Sequence, residues 1–178
     1  MRPENPARFA LLGLLVDQPH HGYDLYQRFA DPAGLGHVWH LGMSQMYADL
    51  KTLQAKGWVS VKVEQQDPRP TRKIFSLTSA GRTAFQEWME TPSRGLREMR
   101  VEFIAKLYFA QLAGGKTIAA LVACQEKSLR EELAKLKTNG SSPRDSNGFV
   151  YVIHSFRISQ TQEAITWLKS LRKWAARR

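Results

Sequence analysis

The sequence predicts a mainly α fold with one small two-stranded β-hairpin. It divides into a winged N-terminal domain over residues 1–92 and a helical C-terminal domain over residues 93–178. Three observations predict this. Apolar residues recur at helical spacing over most of the chain; the period changes from 3.6 to 2 near residue 59; and Pro and Gly clusters punctuate the periodic segments.

Residues 7–16 carry Phe9, Leu12 and Val16 with Leu11 and Leu15 beside them, a buried first helix that stops at Asp17-Gln18-Pro19. A second helix begins at Gly22 and runs through Tyr23, Tyr26 and Phe29 until Asp31-Pro32, Gly34 and Gly36 break it. Ser44 is placed to cap a third helix, in which Met46, Leu50 and Leu53 face inward and Gly57 ends the pattern. Val59, Val61 and Val63 then alternate with Ser60, Lys62 and Glu64 as in a half-buried strand. Asp67-Pro68-Arg69-Pro70 makes the turn, because proline has no amide hydrogen for a ladder. Lys73 to Leu77 resume the alternation with Phe75 and Leu77 inward. Thr78 or Ser79 caps a fourth helix carrying Ala80, Ala84, Phe85, Trp88 and Met89, which Thr91-Pro92 closes.

Beyond it, residues 96–112 are apolar on two sides, with Met99, Phe103 and Leu107 on one and Val101, Ile104, Tyr108 and Leu112 on the other, so a sandwiched helix is expected. After Gly114-Gly115, Ile118, Val122, Leu129, Leu133 and Leu136 line the next helix, whose solvated side is assigned Gln125, Glu126, Arg130, Glu131 and Lys135. Residues 138–148 read as a linker. The last helix carries Phe149, Ile153, Phe156, Gln160, Ala164, Trp167, Leu171 and Trp174 at alternating three- and four-residue steps. Such a seam calls for a partner, and Phe149, Ile153, Phe156, Trp167 and Leu171 are its candidate dimerisation residues.

Composition narrows the function. With 43% hydrophobic residues the chain can bury a core, and 26 Lys and Arg against 16 Asp and Glu give a formal charge of +10 that favours a polyanionic partner. The apolar run from Phe9 to Val16 is too short to span a bilayer and has no signal-peptide cleavage pattern, so a cytoplasmic protein is expected. One cysteine, Cys124, excludes an intramolecular disulfide. His20, His21, His37 and His40 lack the carboxylate or cysteine neighbours of a metal site and read as surface or loop histidines. The segment around Ser44 lacks the second glycine of a nucleophile elbow, and Gly34-Leu35-Gly36 lacks the third phosphate-binding glycine, so neither an enzyme nor a cofactor is expected.

Three helices, a hairpin with a basic tip and a fourth helix, in that order, make the pattern of a winged helix-turn-helix, whose third helix enters the major groove of duplex DNA. Gln45 can then bond a base edge at two points, Ser44 or Lys51 can hold phosphate, and Tyr47 and Ala48 complete the face. Arg69, Arg72 and Lys73 would supply sequence-independent attraction from the wing.

Four fragments, His21-Gly22-Tyr23-Asp24-Leu25, Tyr47-Ala48-Asp49-Leu50-Lys51-Thr52-Leu53, Gly57-Trp58-Val59 and Leu77-Thr78-Ser79-Ala80-Gly81, resemble PadR-type regulators over residues 10–88. The resemblance implies a homodimeric repressor joined by its C-terminal helices and released from operator DNA by a small molecule, often an aromatic acid or a drug-like cation. The long tail is similar to the larger subgroup of that family. Pro68-Arg69-Pro70 and Ile74-Phe75 replace the family's glycine-rich wing tip and tyrosine pair. Trp88 occupies the place of a tryptophan that stacks on flat ligands in compact members. With Phe103, Tyr108 and Phe156 it is a candidate effector contact, although packing also accounts for all four. Two other readings stay open: an architectural DNA binder without sequence preference, and a membrane-surface or protein-interaction module using the basic helix around Trp167 and Trp174.

Overall fold

The computed structural model of the chain describes residues 5–66, 69–138 and 148–175. The expected turn at Asp67-Pro68, the centre of the expected linker, Arg177, Arg178 and the side chains of Arg69 and Pro70 lie outside the described residues. Two compact units result, Met1–Glu90 and Thr91–Arg178.

In the first unit α1 (Pro6–Leu14) starts where Asn5 caps Ala7 N–H at 3.1 Å and a proline occupies the first turn. β1 (His20–His21) leads directly into α2 (Gly22–Ala30), and a single 3₁₀ turn (Leu35–His37) precedes α3 (Met43–Ala55). β2 (Val59–Gln66), β3 (Arg69–Leu77) and α4 (Ser79–Glu90) follow. The sheet has three antiparallel strands in the order β1-β3-β2, with Val59 opposite Leu77, Val61 opposite Phe75 and Val63 opposite Lys73. Leu11, Leu12, Leu25, Phe29, Met46, Leu50, Leu53, Val59 and Phe75 are buried together beneath it.

Several sequence expectations are corrected here. The two-stranded hairpin gains a third strand because His20 and His21 pair with Phe75 and Ile74; His20 is accordingly buried, not a surface or loop residue. Ser44 does not cap α3: Gly42 takes that position and Ser44 lies within the first turn. Val63 is 54% exposed, since β2 continues past the core and leaves its outer residues with nothing to pack on. Thr78, by contrast, does cap α4. Its Oγ1 accepts from Gly81 N–H at 3.0 Å while donating to Gly57 O at 2.7 Å. A Cβ on Gly81 would collide with the Trp58 carbonyl oxygen, which gives the Leu-Thr-x-x-Gly fragment its steric reason.

The second unit comprises α5 (Gly95–Glu98), a π-helical turn (Met99–Phe103), α6 (Ile104–Ala113), α7 (Gly115–Thr138) and α8 (Gly148–Ala175). The single helix expected over residues 96–112 is thus broken by a π turn; residues 101–110 are all buried or half-buried, and of its two expected apolar sides only Leu112 is exposed. Gln125 and Glu126, assigned to the solvated side of α7, are buried as well. Gln125 Oε1 accepts from Ser93 N–H at 2.8 Å and its Nε2 donates to Ser93 O at 3.1 Å, replacing the water both groups would otherwise bind. Glu126 receives Arg130 at 2.6 Å and Arg172 at 3.2 Å.

Lys106 is fully buried, bonded to Glu102 at 2.6 Å and donating to Thr91 O at 2.5 Å. Burial pulls its ammonium below the ordinary lysine range, and the Glu102 carboxylate opposes that shift. In α8 the buried residues are Thr161, Ile165, Leu168 and Ala175, with Leu171 and Trp174 half-buried. The first half of the helix exposes Phe149, Val152, Ile153 and Phe156.

Candidate nucleic-acid interface

The fold turns one face of α3 to solvent. Met46, Leu50 and Leu53 anchor the opposite face, and at 3.6 residues per turn this sends Ser44, Gln45, Tyr47, Ala48 and Lys51 outward, where all five are exposed. A narrow shape is enforced behind Tyr47. A Cβ on Gly22 would overlap its phenol ring, and the ring lies 6.3 Å from that of Phe75. Gly22 therefore lets the start of α2, the middle of α3 and the stem of the wing approach one another.

A cleft of about 490 Å³ opens at this meeting point, lined by His21, Gly22, Tyr23, Asp24, Tyr47, Arg72 and Lys73. Arg72 and Lys73 lie on the exposed stem of the wing, opposite Glu64 and Val63. Gly22, Tyr23 and Asp24 bring the N-terminal turn of α2 to the same cleft. Behind the cleft, burial and the nearby Arg28 lower the pKa of His20 below its ordinary 6.5, and its Nε2 has no hydrogen-bond partner.

Sequence reasoning placed Ser44, Gln45, Tyr47, Ala48, Lys51, Arg72 and Lys73 on this surface but missed its supports. Asp49 belongs to the core, not to the exposed face: it is fully buried, with Oδ1 taking Arg8 Nε at 2.7 Å and Oδ2 taking Gln45 Nε2 at 3.3 Å. The four-residue step from Gln45 to Asp49 was visible in the sequence. Arg8, 41 residues from Asp49, could not be matched to it by any local pattern.

The candidate effector contacts are distributed differently. Trp88 belongs to the first unit, stacked on Phe9 at 5.3 Å with 6° between the rings. In the second unit Phe103 is buried edge-on against Trp167 at 5.9 Å, Tyr108 meets Phe109 edge-on at 5.2 Å, and Phe156 is exposed. Among the described residues no group of three or more His, Cys, Asp or Glu could hold a metal ion, and no helix is long and apolar enough to cross a membrane.

A three-helix core, a three-stranded sheet with a protruding hairpin and an exposed polar face on the third helix make up a winged-helix domain. Comparison with known proteins gives its relatives. Residues 11–87 match the transcriptional regulator PadR-like family, and residues 99–173 match the virulence activator alpha C-terminal family. The negative transcriptional regulator PadR of Bacillus subtilis is 23% identical over 176 residues, covering 92% of this chain and 94% of that protein. A protein of Mycobacterium tuberculosis named as a probable transcriptional regulator is 26% identical over 175 residues, covering 89% and 92%. The crystal structure of Bacillus subtilis PadR in complex with operator DNA has the same fold, with a TM-score of 0.50 and 22% identity over 96% of this chain and 99% of that one. The chain therefore carries a PadR-like domain over residues 11–87, followed by a C-terminal region similar to a second family, and the relatives it matches are named as transcriptional regulators.

Proposed function

We propose that this protein is a cytoplasmic, homodimeric repressor that binds operator DNA through α3 and the wing and leaves it on binding a small aromatic effector. The first ninety or so residues are the DNA-binding domain, and the remainder dimerises and receives the effector. The observation that carries the reading is the exposed face of α3 beside a cleft bordered by Arg72 and Lys73, with no acidic side chain on that face once Asp49 is buried. In this reading α3 enters the major groove, the wing stem and the start of α2 hold phosphates, and Gln45 reads a base.

Dimerisation is supported by the exposed half of α8, where Phe149 is 69% and Phe156 60% accessible in the isolated chain. A partner covering Phe149, Ile153, Phe156 and Trp167 removes that apolar surface from water. Repression is supported by the name of the Bacillus subtilis relative, and release by an effector rests on the family resemblance.

The deciding experiment is binding of the purified protein to its own upstream promoter DNA and to random duplex, titrated with salt and with phenolic acids. A preference of roughly 10³ or more that falls steeply with salt and is abolished by one acid is expected. Equal binding to both duplexes would replace the reading with an architectural DNA binder. Undiminished binding in every acid would remove the effector.

A further inference from the structure

We infer that His21 is a phosphate ligand of the DNA-binding face, an uncharged one that donates a hydrogen bond from its Nε2 to a backbone phosphate seated in the cleft. This inference rests on the reading that α3 enters the major groove, and it adds one side chain to the groups that flank it.

The lining of the cleft is chemically uneven. Arg72 and Lys73 supply two positive charges against the one carboxylate of Asp24, and Tyr23 and Tyr47 supply phenol groups. An anion entering the cleft meets a net attraction. Arg72 and Lys73, however, are long, exposed side chains, which attract from many positions and lose entropy when held in one.

His21 is the opposite case. Its main chain pairs with Ile74 of β3 and leads directly into α2, so the residue is tied to the wing and to the helix at once. Its ring makes no capping bond to α2 and lines the cleft. Its Nδ1 is enclosed without a hydrogen-bond partner, which leaves Nε2 as the nitrogen available to the cleft.

The place of the proton follows. A neutral imidazole carries one N–H, and folded chains avoid an enclosed N–H without an acceptor more strictly than an unused lone pair. No acceptor meets Nδ1, so the proton stays on Nε2 and the cleft is offered a donor. Phosphate oxygens accept, and neutral amides and hydroxyls commonly contact them. Unlike Arg72 and Lys73, a neutral His21 displaces no counterion, so its contribution is directional and insensitive to salt.

The test is binding of the full chain, at about pH 8 where a histidine is ordinarily neutral, to promoter duplexes in which single phosphates are replaced in turn by uncharged methylphosphonates. His21→Leu is expected to bind about tenfold more weakly, with the slope of log affinity against log salt unchanged, whereas Arg72→Ala lowers that slope by about 0.9. His21→Leu should also shrink the cost of replacement at one phosphate by about threefold and leave the others as they were. His21→Gln, whose amide nitrogen reaches the place of Nε2, should restore binding, and His21→Asn, whose amide nitrogen reaches that of Nδ1, should not. Unchanged costs at every phosphate in His21→Leu, a slope that falls as in Arg72→Ala, or His21→Gln binding no tighter than His21→Asn would overturn the inference while leaving DNA binding intact. Ring nitrogen shifts of the DNA-free wild type should place the His21 proton on Nε2; a proton on Nδ1 overturns the inference even if the variants do not fold. A wild type that binds no duplex, or that is indifferent to every phosphate replacement, would overturn both this inference and the reading of α3.

Discussion

Both units have apolar interiors, but they differ in how much polar chemistry they enclose and how much apolar surface they leave outside. In the first, apolar side chains fill the interior and the exposed face of α3 is polar, the arrangement that amphipathic periodicity anticipates. In the second, Lys106, Gln125 and Glu126 are inside while Phe149, Val152, Ile153 and Phe156 are outside. The first unit satisfies its own pattern. The second bonds Lys106, Gln125 and Glu126 within itself and leaves an apolar surface open, the surface on which the proposed dimerisation draws.

The sharpest way to break this contrast is to put charge on the open surface. Phe149→Asp combined with Phe156→Asp should halve the mass measured by sedimentation and lower promoter affinity by about 10² or more, because two half-sites would no longer be held together. An undiminished mass would show that α8 does not join subunits. Next in size is Leu50→Ala, which opens a cavity under α3 in the self-sufficient unit and should cost about 2–5 kcal/mol in chemical denaturation.

Gln125→Leu probes the polar part of the second unit's interior. The substitution keeps much of the volume but leaves the buried N–H and C=O of Ser93 unpaired, for an expected loss on the order of 2–4 kcal/mol by the same measurement. The smallest effect expected is a pH dependence from His20. Because its folded pKa lies below the ordinary 6.5, the unfolded chain takes up the proton first; its stabilisation is complete above about pH 6.5 and is lost as pH falls through the folded value. The melting temperature should therefore decline between about pH 7 and about pH 5, and His20→Asn should flatten that decline.

The same contrast explains what the sequence could reveal. Met46, Leu50 and Leu53 announce α3 because their partners lie one turn away, and Val59 and Phe75 announce the hairpin by strict alternation. Gln125 and Asp49 are polar residues on helical faces, and the one nearby partner, Gln45 four positions before Asp49, fits a solvated pair equally well. Their burial depends on Ser93 and Arg8, each more than thirty positions distant. His20 and His21 escaped notice as strand residues because a two-residue strand has no period to detect. Of the residues proposed for the interface, Gln45, Lys51, Arg72 and Lys73 were named from chemistry and order along the chain, and all four are exposed.

The bond pair between Gln125 and Ser93 also has a practical meaning. Thr91-Pro92-Ser93-Arg94-Gly95 reads like a spacer, with the proline, serine and glycine that mark a junction suited to cutting, lengthening or the grafting of a tag. Yet the main chain of Ser93 is buried and gripped at both its N–H and its C=O, and its neighbour Thr91 carries the Lys106 ammonium on its carbonyl. A protease needs several residues of pliable, accessible backbone, and an inserted peptide needs room to leave and re-enter. This junction offers neither, so fusions and cleavage sites belong elsewhere in the chain.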